Sequence, residues 1–204
     1  MEQQSEPTVF LVDDDPAMLR MLAKVTESLG LAASPYRSAE EFLAAYRPIG
    51  PACLVLDVRM PGMSGLELQR QLAAAGGALP VIFITAHADV RMAVEAMQQG
   101  AVAFLEKPFG VQELCDKIQA ALRLAQDHWL RRQQRRRARE QLALLTPAES
   151  RVLHLLVGGL TNPMIAKELG LSVRTVEVHR GRIVKKLKRK SRIDLLRLVE
   201  QAAS

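Results

Sequence analysis

Five short apolar, β-branched runs, each closing on polar residues and each followed by a stretch of helical period, constrain what the first 125 residues can become. Thr8–Val12 runs into Asp13-Asp14-Asp15-Pro16, and Met18, Leu19, Leu22, Val25 and Leu29 follow at helical spacing with Gly30 as the stop. A weaker strand is expected at 31–34, and Ser38-Ala39-Glu40-Glu41 reads as a capping box for a helix carrying Phe42 and Leu43. The run Leu54-Val55-Leu56 ends abruptly in Asp57 and then in the turn residues Pro61-Gly62. Beyond it the spacing predicts a helix over 64–75 stopped by Gly76-Gly77, a strand over 80–85 and a helix over 90–99 stopped by Gly100. A fifth strand over 101–106 meets Lys107-Pro108, and a helix begins at Val111.

Such alternation of strand and helix implies α/β architecture: a doubly wound five-stranded parallel sheet, with the flavodoxin-like order 2-1-3-4-5 expected. Ligands of open α/β sheets bind at the carboxyl ends of the strands, and those ends here carry Asp13, Asp14, Asp57, Thr85 and Lys107. Crowded carboxylates raise one another's pKa unless a cation sits among them, and an oxygen-only donor set suits Mg²⁺. With the metal bound, Asp57 can stay ionised and attack phosphorus as a carboxylate nucleophile. Lys107 would neutralise the phosphoryl charge and the Thr85 hydroxyl would donate to it. Any one of these residues alone reads as a solvated strand-end group; the five together do not.

Charge is split along the chain. Residues 1–127 hold 10 Lys+Arg against 16 Asp+Glu, and residues 128–204 hold 18 against 6, so a half of net charge −6 is joined to one of +12. Only the second half is suited to a polyanion, with double-stranded DNA the first candidate and a membrane surface the weaker one. No apolar run approaches the ~20 residues of a membrane span, and Met1 to Thr8 is unlike a signal peptide, so a cytoplasmic chain without membrane contact is expected. Cys53 and Cys115 fall in no metal or redox spacing and read as buried hydrophobes.

From Val111 nothing stops the helix before about Leu144, although six arginines fall between Arg131 and Arg139. The expected domains are therefore 1–125, a basic helical linker 126–142 and a helical domain 143–204. The linker arginines suit DNA phosphates and a solvated helix face equally well. Thr146-Pro147-Ala148-Glu149 starts a helix ended by Gly158-Gly159. Asn162-Pro163 is expected to cap a short second helix, Gly170 to make the turn, Ser172 to start a third helix to about Leu187, and Ser191 a fourth. Two helices joined through Leu169-Gly170-Leu171-Ser172 have helix-turn-helix spacing. The third helix carries Arg174, His179, Arg182, Lys185 and Lys186 on its polar side, fit to neutralise phosphates along a major groove.

Val12-Asp13-Asp14-Asp15, Leu56-Asp57-Val58-Arg59-Met60-Pro61-Gly62-Met63-Ser64-Gly65, Ile84-Thr85-Ala86-His87 and Phe104-Leu105-Glu106-Lys107-Pro108-Phe109 resemble the receiver domain of two-component response regulators of the FixJ type. The resemblance implies that Asp57 is the phosphoacceptor for a sensor histidine kinase. It implies that Asp14, Asp57 and the backbone carbonyl of Arg59 ligate Mg²⁺ with Asp13 in support, that Thr85 and Phe104 form a switch pair, and that Ala86 leaves access to the site. This chain departs from close relatives at Ala86, Ala88 and Arg91, where they carry two glycines and a proline; a stiffer loop is expected. Leu145-Thr146-Pro147-Ala148-Glu149, Ile165-Ala166-Lys167-Glu168-Leu169 and Thr175-Val176-Glu177-Val178-His179-Arg180 resemble the LuxR-type DNA-binding domain of FixJ and NarL regulators. That resemblance places Glu177, Val178 and Gly181 toward the bases and Arg174, Thr175, His179, Arg182, Lys185 and Lys186 on or near the DNA, with Pro163 standing where relatives carry a phosphate-binding Lys. It also implies a homodimer on phosphorylation, through Arg91, Glu95, Gln98 and Ala101, and RNA polymerase as a partner.

The expected function is thus a phosphorylation-controlled transcription regulator and not a dedicated enzyme. A metal-dependent phosphatase using Asp57 would need a substrate pocket that these short loops do not offer. A constitutive DNA-binding protein would have no use for all five site residues.

Overall fold

Strands β1 (Thr8–Val12), β2 (Ala32–Tyr36), β3 (Ala52–Asp57), β4 (Val81–Thr85) and β5 (Ala103–Glu106) pair in parallel in the order β2-β1-β3-β4-β5. The computed structural model describes residues 6–47, 49–76, 79–86 and 89–203; Gly77, His87 and Ala88, on which the sequence reading drew, lie outside the described residues. Helices α1 (Pro16–Ser28), α2 (Ala39–Ala45), α3 (Gly65–Ala74), α4 (Val90–Gln98) and α5 (Val111–Leu142) follow the strands in turn. The register aligns Thr8 with Ala52, Leu54 with Val81 and Ile82 with Ala103, which brings the carboxyl ends of the strands to one edge.

Both faces of the sheet are covered, which explains why its central strands read as continuous apolar runs. Val9, Leu11, Cys53, Val55, Ile82 and Ile84 pack with Leu19 and Leu22 of α1 and Leu114 and Ile118 of α5. The alternate residues Val12, Leu54, Leu56 and Phe83 pack with Phe42 of α2, Leu68 of α3 and Ala96 of α4. Phe10, Tyr36, Phe42 and Tyr46 form an aromatic group on that second face. Cys53 and Cys115 are buried thiols, as expected, and burial pushes the Cys53 thiol up to about 12.

The chain divides into two compact units between Trp129 and Leu130, inside the stretch expected as a linker. Its second unit contains α6 (Pro147–Val157), α7 (Asn162–Leu169), α8 (Val173–Leu187) and α9 (Arg192–Ala203). Val152, Leu153, Ile165, Val176, Ile183 and Leu195 form the core, joined by Ala138 and Leu142 from the end of α5. Gly170 ends α7 in the left-handed region (φ 64°), where glycine carries no Cβ penalty. Among the described residues no helix is long and apolar enough to cross a membrane.

Two expected caps differ in detail. Ser38 accepts from the Glu41 N–H, but the Glu41 carboxylate reaches the Arg37 N–H and not that of Ser38 itself. Asn162 is not a cap: Thr161 holds that position without a side-chain bond, and the Asn162 Oδ1 accepts from Arg180 at 2.6 Å. The Thr146 box is complete, with Thr146 Oγ1 accepting from the Glu149 N–H and Glu149 accepting from the Thr146 N–H at 2.8 Å.

Glu149 is buried and its Oε2 lies 2.6 Å from the Lys186 ammonium. That hydrogen bond, with the Thr146 N–H, holds its pKa down from 4.5 to about 2. A depressed carboxyl contributes stability that is whole above its unfolded pKa and is lost as the pH falls through the folded value. The second unit should therefore lose stability between about pH 4.5 and 2, and Glu149→Gln should flatten that part of the profile. Denaturant midpoints of the full chain, read at the Val152 and Ile183 methyl resonances across that range, check this; an unchanged slope in the variant would refute it.

Candidate functional site

Four of the five strand ends deliver one polar group each to the same edge. Asp13 follows β1 and is fully buried, Asp57 ends β3 and is 8% exposed, and Thr85 ends β4 and is 1% exposed. Lys107 follows β5, and its N–H donates to the Thr85 carbonyl at 2.8 Å, continuing the ladder by one residue. The Lys107 ammonium then reaches back across the edge and donates to Asp13 Oδ2 and Asp57 Oδ2, both at 2.9 Å.

The other oxygen of each carboxylate is held by backbone. Asp13 Oδ1 accepts from the Asp15 N–H at 2.8 Å, and Asp57 Oδ1 accepts from the Arg59 N–H at 3.2 Å. Asp15 in turn caps α1 through the Ala17 N–H. Burial raises the Asp13 pKa, against the hydrogen bonds from Lys107 and Asp15 that lower it. Burial works against the Lys107 ammonium too, but its hydrogen bonds to Asp13 and Asp57 prevail and its pKa is raised.

Asp13, Asp14 and Asp57 each offer an oxygen within 4.8 Å of the others, with Asp14 exposed. An all-oxygen carboxylate set of this kind fits Mg²⁺, which tolerates few protein ligands and keeps several waters. Ala86 is exposed beside Thr85, and Phe104 is half-buried with its ring 6.2 Å from that of Phe83.

Two further residues shape this edge through the backbone, Glu40 with no signal in the sequence and Gly65 as the last residue of the motif that begins at Leu56. Glu40 of α2 accepts from the Met63 N–H at 3.0 Å and so fixes the loop after Asp57 from 23 residues away. Gly65 starts α3 beneath the phosphoacceptor candidate, where a Cβ would stand 2.2 Å from the Asp57 carbonyl oxygen. Gly65 closes the motif that begins at Leu56 and stands just after the Ser64 cap, but neither place by itself tells which atom its missing side chain makes room for.

On α8, Arg174, Glu177, Arg182 and Lys185 are exposed, and Val178 is 47% exposed. Thr175 is half-buried with its hydroxyl 2.8 Å from that of Ser172. His179 is half-buried and its Nδ1 is enclosed without a hydrogen-bond partner. Gly181 is exposed, and a Cβ added there would meet nothing. Lys186 is engaged by Glu149 and Arg180 by Asn162.

An α/β sheet with this acidic edge, followed by a helix-turn-helix unit, defines a receiver joined to a DNA-binding domain. Residues 9–119 match the family described as the response regulator receiver domain, and residues 143–199 match the luxR family of bacterial regulatory proteins. The chain belongs to the two-component response regulators of the FixJ/NarL type. It is 43% identical over 206 residues to nodulation protein W of Bradyrhizobium diazoefficiens, covering 98% of this chain and 88% of that one. It is also 43% identical over 190 residues to the transcriptional regulatory protein FixJ of Azorhizobium caulinodans, covering 93% and 90%. Among solved structures it is similar to the response regulator StyR, with a TM-score of 0.86, 44% identity and coverage of 97% and 100%.

Gly65→Ala should destabilise the receiver by roughly 1–3 kcal/mol, because a backbone oxygen cannot swing aside as a flexible side chain can. Chemical denaturation monitored in the receiver checks this; a midpoint within error of the unaltered chain would refute the close approach.

Proposed function

We propose that this response regulator is switched by phosphorylation of Asp57 by a sensor histidine kinase, and that the phosphorylated form dimerises and binds promoter DNA. The observation that carries the reading is the Lys107 ammonium at 2.9 Å from both Asp13 and Asp57 at the carboxyl edge of the sheet. It meets the carboxylate charge of both and already stands where phosphoryl charge would develop.

In the transfer, an Asp57 oxygen bonds to phosphorus as the P–N bond of the kinase phosphohistidine breaks and the imidazole leaves. The Arg59 N–H, 3.2 Å from Asp57 Oδ1, orients the attacking carboxylate. Asp14 and Asp57, with the Arg59 carbonyl and with Asp13 in support, would hold Mg²⁺. When bound, that ion neutralises carboxylate and phosphoryl charge together. Thr85 and Phe104 would carry the change outward, and Ala86 would leave room for the incoming group.

For dimerisation, α4 presents exposed Arg91 and Gln98 and half-buried Glu95. Ala101 is buried and contributes no surface, whereas Val90, Val94 and Met97 are exposed and supply an apolar component. On DNA, the stripe of Glu177, Val178 and Gly181 would face the bases, while the exposed Arg174, Arg182 and Lys185 would bind phosphates. RNA polymerase is the expected partner of the DNA-bound dimer. Turnover of added phosphoesters is not part of this reading.

Asp57→Asn should abolish labelling by a small phosphodonor with Mg²⁺, read as loss of the phosphoprotein band; undiminished labelling sinks the assignment. Glu177→Ala should relax preference at one base position per half-site, at roughly 1–3 kcal/mol of discrimination. Lys185→Ala should instead weaken all sequences alike and flatten the salt dependence. Binding-site selection with both variants separates the two roles, and a changed preferred sequence in Lys185→Ala alone would reverse them.

A further inference from the structure

Five helices of this chain are followed by a residue in the left-handed region, and at each the chain supplies glycine. Gly30, Gly76, Gly100, Gly159 and Gly170, at the ends of α1, α3, α4, α6 and α7, have φ between 64° and 98°. Helix α8 ends otherwise. Its cap is Lys188 at φ 54° and ψ 32°, and among the described residues no other residue with a side chain has a positive φ. In that region Cβ crowds the carbonyl oxygen that follows it, and the side chains that tolerate the place are mostly those of Asn and Asp. The backbone at 188 favours glycine, so lysine is kept there for its side chain.

The fold already has its other uses for a cation filled. A positive charge near a helix C-terminus complements the free carbonyls, but Lys185 and Lys186 stand in the last turn of α8 for that. The buried carboxylate of this unit, Glu149, is met by Lys186 at 2.6 Å. Residues 185–190 hold five cations in six positions and no carboxylate. Arg189 is half-buried with its Nε enclosed and belongs to the packing of the joint. Lys185, Lys188 and Lys190 are exposed, and three ammonium groups so gathered repel one another unless a polyanion lies against them. By spacing, Lys188 is also the next place after Arg174, Val178, Gly181 and Lys185 on one stripe of α8.

We propose that Lys188 is a phosphate contact of the DNA-binding unit, kept in a strained cap because its ammonium, with that of Lys190, grips the DNA backbone where α8 leaves the groove. The proposal rests on the reading that α8 enters a major groove, and it adds to that reading the joint between α8 and α9. Such a contact carries no base information and strengthens binding to every sequence alike.

The test is binding of the full chain, treated with a small phosphodonor and Mg²⁺, to a fluorescein-labelled duplex of random sequence over a range of salt concentrations. Lys188→Gly suits the left-handed backbone and removes the charge. Its affinity at low salt should fall about three- to tenfold, and its log–log salt slope should become shallower by about 0.9 per bound protomer. Its denaturation midpoint should not fall, since the strain goes with the side chain. Lys188→Arg, equally strained and still charged, should keep the slope of the unaltered chain. An unchanged slope in Lys188→Gly, with Lys185→Ala weakened, overturns the proposal and leaves the docking of α8 standing. If Lys185→Ala also binds as the unaltered chain does, the reading of α8 falls with it. A lowered midpoint in Lys188→Gly with an unchanged slope would make Lys188 a helix cap only, and overturns the proposal as well.

Discussion

One ammonium group shared by two carboxylates ties the ends of three strands together. Asp13 comes from β1, Asp57 from β3 and Lys107 from the residue after β5, and the two contacts of 2.9 Å span 94 and 50 residues of sequence. Burying such a group is costly unless its charge is met and its hydrogen bonds are made. Here both carboxylates spend one oxygen on Lys107 and the other on a backbone N–H, so the cluster is satisfied internally without closing the edge to solvent, where Asp14 remains exposed. Three carboxylates against one ammonium still leave excess negative charge, which is why the edge suits a divalent cation and an incoming phosphoryl group together.

Much of this was legible in the sequence because a sheet covered on both faces writes its strands as apolar runs, and each run here ends where the chain turns polar. The element order, the sheet order and the residues at the strand ends follow from that pattern. Boundaries were less legible where apolar composition continues past the ladder. Ala101 and Val102 extend the β5 run, yet the Ala101 N–H closes the end of α4 on Ala96 and the ladder strand begins at Ala103. The roles of Glu40 and Gly65 were hidden for another reason, although Gly65 closes the motif that begins at Leu56: one acts on a backbone amide 23 residues away, and the other is required by a carbonyl that the turn after β3 folds back over it. Neither requirement has a local spacing to announce it.

Charge counting reads the second unit more generously than its contacts do. Of the basic residues along α8, Lys186 neutralises the buried Glu149 that completes the Thr146 cap, and Arg180 bonds Asn162 at the start of α7. Both contacts fasten α8 to the helices packed against it, so part of the positive charge serves the fold. Arg174, Arg182 and Lys185 remain exposed and available to a polyanion.

The same helix contains a feature that the interior does not explain. Gly181 costs about 1 kcal/mol against Ala in a helix, and nothing in the structure crowds the place its side chain would occupy. Residues three, four and seven apart share a helix face, so Gly181 lies in the stripe that carries Arg174, Val178 and Lys185, with Glu177 one turn before it. A missing side chain in the middle of that stripe brings the backbone to the surface between a half-exposed valine and a lysine. A helix that met only solvent there would gain by Ala. Nothing among the described residues accounts for the glycine, and on the proposed docking of α8 it leaves either a close approach of the helix backbone to the DNA or a base contact given up.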